Sequence, residues 1–555
     1  MFVEPTMLRV GVLLDSLTVP DWIYSILEEI QQGSDARIDL VVLNGARHER
    51  RFVDRLRALP VIPFYAYSKL DARLFGRSGA SDAFVPRDAV SLLKGIPQMS
   101  VIPLEKRWSD RFPKDDVEKI RDLNLDLILR FGFRILKGEI LGAARHGVWS
   151  FHHGDNRRYR GGPALFWEIA EGNPSSGTLL QILNENLDAG SVIYRSTSAT
   201  QFASLFRNRN ETYWKTARFV GRCLRELRRQ GKLAIENVNA SELGKIYRVP
   251  RPAALAKFLC RITAENVRQQ IAYRLQRDQW FLAVAPRPQR IIGSRPRFHI
   301  VEPPPDRFYA DPFVAEEGGR AFVFFEDYRY EMSRGVISCA PLEEGRLGPV
   351  TVILSRDYHL SYPAVFDWQG QWYMTPETSQ NGTIELYRAT SFPYQWELER
   401  VLIDGVTAVD PTLFYHDGTL WLFATVIAPG ASSRDEVSLF FSKRLEGPWH
   451  AHPMNPIVSD ARSARPAGFP FFDRDALYRP GQDCTVRYGR AIAINRVEVL
   501  TESDYKETKI GSVEPEWLPK SICTHTLSLS KHWLVTDGMR RKWKPPLAKH
   551  SIAGR

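Results

Sequence analysis

Between residues 276 and 545 one pattern recurs about every fifty residues. It is carried by "YADPFVAEEGGRAFVFFED", "SYPAVFDWQGQWYMTPE", "AVDPTLFYHDGTLWLFAT", "ARPAGFPFFDRDALYRPGQD" and "CTHTLSLSKHWLVTDG", which start near Tyr309, Ser361, Val409, Ala464 and Cys523. Each segment opens on a polar residue or a proline, runs through a short aromatic-rich strand, turns, and returns through a second strand. A four-stranded blade needs about that much chain, so the repeats predict an all-β five-bladed propeller over residues 276–545. "QWFLAVAP", directly before the first repeat, is the strand expected to close the ring with the last one.

In a propeller the innermost strand of each blade starts at the central funnel, so the residues that open the repeats collect there. Asp311, Tyr362, Asp410, Arg465 and His525 are expected to form one polar cluster, with Glu326, Glu377, Gln482 and Asp483 close by. Such a cluster either solvates an axial channel or holds a ligand. Paired carboxylates suit glycoside hydrolysis. Arg465 and His525 point instead to binding of an anionic or phosphorylated sugar, and the unlike side chains from repeat to repeat favour binding. The motifs "FYADPF", "YPAVF" with "MTPE", "DPTLF", "RPAG", "GQDC" and "THTLS" resemble the propeller module at the N-terminus of plant glucosamine inositolphosphorylceramide transferases. That module is itself similar to five-bladed glycosidases of the arabinosidase and xylosidase type, so the resemblance implies a carbohydrate-binding, glycosidase-like propeller.

The first two hundred residues have another texture. "LRVGVLLD", "RIDLVVLNG" and "LDLILRFGF" are continuous apolar runs, as strands buried on both faces are, and the intervening "PDWIYSILEEIQQ" and "DDVEKIRDLN" have helical periodicity. This predicts an α/β doubly wound parallel sheet over residues 1–205, with its ligand crevice beyond the carboxyl ends of the strands. Two stretches reach that crevice: "RFGF", Arg130, Phe131, Gly132 and Phe133, and "HHGDNRRYRGG", which follows the strand "GVWSF".

The run "FGFRILKGEILGAARHGVWSFHHGDNRRYRGGPALFWEIAEGNPSSGTLLQILNENLDAGSVI" resembles the core of the folate-dependent formyltransferases. Members of that family show Asn-x-His, a Ser-Leu-Leu-Pro turn, an aromatic-Arg-Gly and a later Asp-x-Gly. Here His152 takes the histidine position, Tyr159, Arg160 and Gly161 the aromatic-Arg-Gly, and Asp188 the aspartate; Ser150 replaces the asparagine, and Gly154, Asp155, Asn156 and Arg157 replace the turn. The resemblance implies formyl transfer from 10-formyltetrahydrofolate to an amine. His152 would polarise the formyl oxygen or shuttle a proton, Asp188 would orient it or take the amine's proton, and Ser150 would donate to the oxyanion. Arg130, Phe131, Gly132 and Phe133 would line the pterin pocket, with one phenylalanine turned back into the sheet because neighbours alternate. Tyr159, Arg160, Gly161 and Gly162 would meet the acceptor. His153 should face away from His152, and Asp155 reads as an Asx turn or a partner of Arg157 or Arg158.

Net charge is +11, yet residues 206–300 hold 21 Lys and Arg against 6 Asp and Glu, so the basicity is local. This stretch reads as a basic helical connector over residues 206–275, with Leu224, Leu227, Ile271 and Leu275 inside charged faces. Its charge is either a solvated face or a site for an anionic partner: a nucleotide sugar, tRNA or an acidic lipid surface. No stable nucleic-acid complex is expected. The five cysteines are scattered, which argues against a zinc clip or a disulfide framework, and no metal ligand set is expected. The first residues read as a strand rather than a leader, and no apolar run is long enough for a bilayer. The combined expectation is a cytoplasmic formyltransferase acting on the amine of a sugar or sugar nucleotide, with a carbohydrate-binding propeller. A methionyl-tRNA formyltransferase-like activity would keep the catalytic half and change the acceptor. A glycan-processing propeller enzyme with a non-catalytic first half is the third reading, kept open by Ser150.

Overall fold

A computed structural model describes residues 7–46, 59–76, 81–106 and 108–544. The chain divides into two compact units: Met1–Arg261 with Ala428–Ser432 and Pro453–Asp460, and Ile262–Ile427 with Ser433–His452 and Ala461–Arg555. Among the described residues no helix is long and apolar enough to cross a membrane.

The first unit is built on β1 (Leu8–Leu14), β2 (Ala36–Asn44), β3 (Gln98–Val101), β4 (Leu127–Arg130), β5 (Val148–His152), β6 (Ser175–Ile182) and β7 (Ser191–Ala199), in the order β7-β6-β5-β4-β1-β2-β3. The five strands β3, β2, β1, β4 and β5 pair in parallel, as the apolar runs predict. β6 and β7 depart from that expectation and run antiparallel to their neighbours. The link between them, residues 183–190, is too short for the crossover that a parallel pair requires.

Helices α1 (Asp21–Gln32), α2 (Ile62–Phe75), α3 (Lys114–Asp122), α4 (Phe166–Glu171), α5 (Leu205–Gln230) and α6 (Pro252–Leu275) accompany the sheet in sequence. α1 turns Trp22, Ile23, Ile26, Leu27 and Ile30 inward at helical spacing, onto the face of the sheet that carries Val10 and Val12. α3 packs Val117 and Ile120 against the opposite face, with Leu13, Ile128 and Phe133. Two apolar faces are what make the strand sequences continuous rather than alternating.

Of the connector expected over residues 206–275, the part up to Arg261 groups with the first unit and the part from Ile262 with the second. α5 starts on Ser204, whose hydroxyl accepts from the Arg207 amide, and buries Phe219, Val220, Cys223, Leu224 and Leu227 in the same core as α1. Its basic residues meet acidic ones: Arg225 lies 3.2 Å from Glu29 and Arg228 3.1 Å from Asp35. These two cations are thereby paired inside the first unit. In α6 the expectation fails at Ile271 and Leu275, which are exposed; Leu255, Phe258 and Ile262 are the buried ones.

Among the described residues the second unit holds five antiparallel sheets. In the first, β8 (Gln276–Pro286) pairs along its whole length with the last described strand, β16 (Trp533–Trp543), so "QWFLAVAP" meets a strand of the last repeat as expected. The next three open with β9 (Arg307–Glu317), β11 (Ser361–Trp368) and β13 (Ala408–His416), each paired with the strand that follows: β10 (Arg320–Arg329), β12 (Gln371–Glu377) and β14 (Thr419–Val426). The fifth contains β15 (Ala476–Asp483). β9, β11 and β13 share one irregularity. Their register slips at Ala310/Phe313, Ser361/Ala364 and Val409/Thr412, and within each slip one residue turns left-handed: Asp311 (φ 51), Tyr362 (φ 48) and Asp410 (φ 53). A bulge of this kind re-aims a side chain at a fixed place in each sheet, and left-handed backbone at a bulky residue such as Tyr362 persists only where the surroundings hold it.

Candidate functional site

In the first unit the site is assembled at the carboxyl ends of β4 and β5. Ser150 and Arg130 are direct cross-strand partners, and Arg130 Nη1 donates to Ser150 Oγ across 3.1 Å, while its Nη2 donates to the carbonyls of Phe133 and Arg134. Burial lowers the Arg130 pKa from its ordinary value, opposed by the charges of Asp15, Asp188 and Asp110. Two residues on, His152 is buried, with Nδ1 3.3 Å from Asp188 Oδ1 and Nε2 donating to the Tyr159 carbonyl across 2.7 Å. Asp188, left-handed at φ 51 in the link between β6 and β7, also accepts from the Gly161 amide at 2.7 Å. Gly154 is what lets the Tyr159 carbonyl close on the ring: a Cβ there would stand 2.7 Å from that carbonyl and 2.8 Å from Nε2. The sequence pairing of His152 with Asp188 is therefore realised in space.

Other expected residues are engaged differently. Gly132 allows a close approach, but to the end of β1: an added Cβ would fall 2.4 Å from the Asp15 amide nitrogen. Phe133 belongs to the core beneath α3, so it is the phenylalanine turned into the sheet, and half-buried Phe131 packs edge-on to Trp22 at 5.9 Å. Tyr159, Arg160, Gly161 and Gly162, expected to meet an acceptor, hold the loop itself. The Tyr159 hydroxyl donates to Glu171, Arg160 donates to the carbonyls of Leu187 and Gly244, and Gly162 donates to the Tyr247 carbonyl. The cause is a short parallel pairing of Arg160 and Gly161 with Ile246 and Tyr247, which sequence patterning does not reveal. His153 faces away from His152 as alternation requires, stacked 3.6 Å from Tyr213. Burial, with the charges of His152 and Arg209, holds its pKa well below the ordinary value. Asp155 forms the Asx turn, accepting from the Arg157 amide, but its ion pair is with Arg195 at 2.9 Å rather than with Arg157 or Arg158.

In the second unit a cavity of about 250 Å³ lies where the repeats were expected to converge. Of the nine residues expected there, Asp311, Glu326, Glu377, Arg465 and His525 line it. Asp410 stands behind Arg465, which donates from Nε and Nη2 to its two oxygens at 2.6 and 3.0 Å, and Gln482 Nε2 donates to Asp410 Oδ2 at 2.9 Å. The other two are placed elsewhere. Tyr362 is a fully buried strut whose hydroxyl shares a hydrogen bond with Thr412 and accepts from the Gly468 amide. Asp483 accepts from Thr485 and faces Arg490 and Lys509 at 4.0 Å.

Asp537 completes the site and was not foreseen, because it sits within "VTDG" past the position that opens its repeat. Its carboxylate accepts from the amides of Asp311, His525 and Thr526 and contacts His525 Nδ1 at 2.6 Å. Aromatic walls from Trp280, Phe308, Tyr328 and Tyr488 were equally unmarked in the sequence. Burial pushes the Asp311 and Asp410 pKa values up to about 6 each, and pushes Glu326 well above the carboxylate range. His525 loses by burial and gains more from Asp537 and Asp311, so its pKa is raised. Ligand atoms of Asp311, His525 and Asp537 lie within 4.8 Å of one another, close enough to surround a metal ion, an arrangement not anticipated from the sequence.

Residues 300–517 match the family model described as glucosamine inositolphosphorylceramide transferase 1, N-terminal. The glucosamine inositolphosphorylceramide transferase 1 of Oryza sativa subsp. japonica is 39% identical over 212 residues, 37% of this chain and 28% of that one. The chain thus spans under a third of the length of that relative. A methionyl-tRNA formyltransferase of Clostridium beijerinckii is 30% identical over 95 residues, 17% of this chain and 31% of that one. Among solved structures, the family 117 glycoside hydrolase Zg3597 of Zobellia galactanivorans aligns with a TM-score of 0.32 at 12% identity, over 47% of this chain and 90% of that one. The chain therefore joins a segment similar to formyltransferases to a region similar to the N-terminal part of glucosamine inositolphosphorylceramide transferase 1.

Proposed function

We propose that the first unit transfers a formyl group from 10-formyltetrahydrofolate to the amine of a sugar or sugar nucleotide, and that the five sheets of the second unit are the blades of a propeller whose central cavity binds carbohydrate. The observation that carries the first part is the 3.3 Å contact between His152 Nδ1 and Asp188 at the carboxyl end of β5, beside Arg130 and Ser150. Nucleophilic attack by a neutral amine makes the formyl oxygen anionic and obliges the amine to lose a proton. His152 Nε2–H is an oxyanion donor once the formyl oxygen replaces the Tyr159 carbonyl as its acceptor, and the amine's proton goes to Nδ1, where Asp188 at 3.3 Å balances the resulting imidazolium. Arg130, hydrogen-bonded to Ser150, adds positive charge on the side where the related enzymes carry an asparagine. Phe131 is the ring left to face a pterin.

The carbohydrate reading of the cavity rests on its mixture of aromatic walls and convergent polar groups, and the similarity to a transferase named for glucosamine agrees with it. Incubating the protein with the folate donor and a panel of amino-sugar nucleotides, then weighing the products, tests the transfer: a gain of about 28 Da, one carbonyl, is expected for at least one acceptor. One observation favours a second reading, in which the first unit binds without transferring. Both ring nitrogens of His152 are already engaged by protein oxygens. Donor binding with no mass gain on any acceptor would establish that alternative.

A further inference from the structure

We propose that the cavity of the second unit recognises the protonated amine of an unacylated amino sugar, using the carboxylates of Glu326 and Glu377, and rejects the hydroxyl and N-acyl analogues. The proposal rests on the carbohydrate reading of this cavity and names the chemical class that fits it.

Arg465 and His525, which in the sequence pointed to an anionic sugar, are spent on the protein's own carboxylates. Arg465 holds Asp410 at both oxygens, and its Nη1 donates to the Ser433 carbonyl at 3.3 Å. His525 stands between Asp537 at 2.6 Å and Asp311 at 3.5 Å. His359, 3.4 Å from Glu326, brings no charge: its Nδ1 accepts from the Gly335 amide, and burial lowers its pKa. Five carboxyl groups therefore face two cationic side chains. Among the described residues Glu326 has only the neutral imidazole beside it, and Glu377 has a 3.7 Å approach from an Arg465 already committed to Asp410, besides the Ser379 hydroxyl. Buried carboxylates without matching cations are costly, which is why burial pushes the Glu326 pKa well up. The raised value keeps a proton on Glu326 until a cation arrives, so an ammonium pairs with it as that proton leaves, whereas a phosphate or carboxylate would add to the cost.

The walls select the rest of the ligand. Trp280, stacked on His525 at 4.1 Å, and Phe308, stacked on Tyr328 at 4.6 Å, line the cavity together with Tyr488, so aromatic rings border the carboxylates. Such rings take the apolar side of a sugar ring and attract an ammonium through their quadrupoles. A volume of about 250 Å³ is far more than a bare ion needs and suits one sugar ring. The triad able to surround a metal is also occupied, since Asp537 already accepts three backbone amides and contacts His525.

Calorimetric titration of the full chain near neutral pH with glucosamine, glucose and N-acetylglucosamine tests the proposal. Glucosamine is expected to bind about tenfold or more tighter than the other two, and the Glu326→Gln/Glu377→Gln double variant, with its circular dichroism unchanged, to bind all three alike. Comparing the three sugars on the unaltered protein needs no variant, so the proposal stays exposed even where the substitutions unfold the chain. Equal binding of the three sugars, or a preference that survives in the double variant, overturns it and leaves the carbohydrate reading standing. No binding of any of them overturns both. Calcium that binds and displaces glucosamine would make the cavity a metal site and would also overturn the proposal.

Discussion

Arg465 grips both oxygens of Asp410, at 2.6 and 3.0 Å, with each side chain less than a tenth exposed. A carboxylate so held is a fixed counter-charge and not a free base, which weighs against Asp410 as the group that activates water in glycoside hydrolysis. Arg465→Ala strands that charge in the interior, and an unfolding free energy lower by about 3–5 kcal/mol is expected in urea titrations. Arg465→Met combined with Asp410→Leu, which removes both charges at once, should lose much less. An equal loss in both variants would mean that packing rather than charge pairing holds this part of the cavity.

Asp311 gives the second unit a pH dependence opposite to that of most carboxylates. Its pKa rises from 3.8 to about 6 through burial, opposed by His525 and reinforced by Asp410 and Asp537, with Thr526 donating to it. A folded-state pKa above the unfolded one means that the folded chain holds the proton more tightly. Stability from this group is then greatest below the unfolded value and falls as pH climbs through the window from 3.8 to about 6. Asp311→Asn removes the dependence, so its stability relative to the unaltered protein should improve between about pH 4 and pH 7. Denaturant melts across that range would contradict the reading if the variant lost ground instead.

Phe131 and Phe133 separate binding from packing in the first unit. Phe133, left-handed at φ 63 and packed 4.9 Å from Phe112 in the core beneath α3, should cost about 3–5 kcal/mol of stability as Phe133→Ala. Phe131 is half-buried beside Trp22 and Phe151, and if it meets the pterin as proposed, Phe131→Ala should weaken a folate analogue by about tenfold with a smaller effect on unfolding. Fluorescence titration and chemical denaturation on both variants distinguish the two roles. Unchanged binding in Phe131→Ala would remove the one ring assigned to the pterin.

What the sequence made legible was set by how local the determinants are. The apolar runs of β1, β2 and β4 need both faces covered, so the parallel core follows from composition along each strand, and the fifty-residue repeat follows from the "DP" and aromatic motifs. His152 and Asp188 were readable because spacing in a known motif encodes their approach. Partnerships made by distant chain segments were not. Arg160 looked free until the pairing with Ile246 and Tyr247 brought Gly244 to its guanidinium and the link between β6 and β7 brought Leu187. Arg465 and His525 looked like anion binders because the sequence gives the charges and not the distances to Asp410 and Asp537. The basic stretch after residue 205 looked like a connector because its acidic partners, Glu29 and Asp35, lie some two hundred residues away in the chain.

The His152–Asp188 contact carries the transfer reading, and replacing one atom tests it. In Asp188→Asn the amide oxygen still accepts from Gly161, so the loop keeps its anchor, but the amide nitrogen then faces His152 Nδ1 as a donor. The imidazole is fixed with its one proton on Nε2, toward Tyr159, and the imidazolium that follows proton uptake from the amine loses its counter-charge. Turnover of formyl transfer should therefore fall by on the order of a hundredfold, with donor affinity and the unfolding midpoint little changed. His152→Ala should show at least the same loss of turnover, since it removes the oxyanion donor as well. A single-turnover measurement by mass spectrometry resolves the chemical step from release of products. Asp188→Asn with full turnover would show that the carboxylate is only the loop's anchor, and the proposed proton transfer at His152 would have to be abandoned.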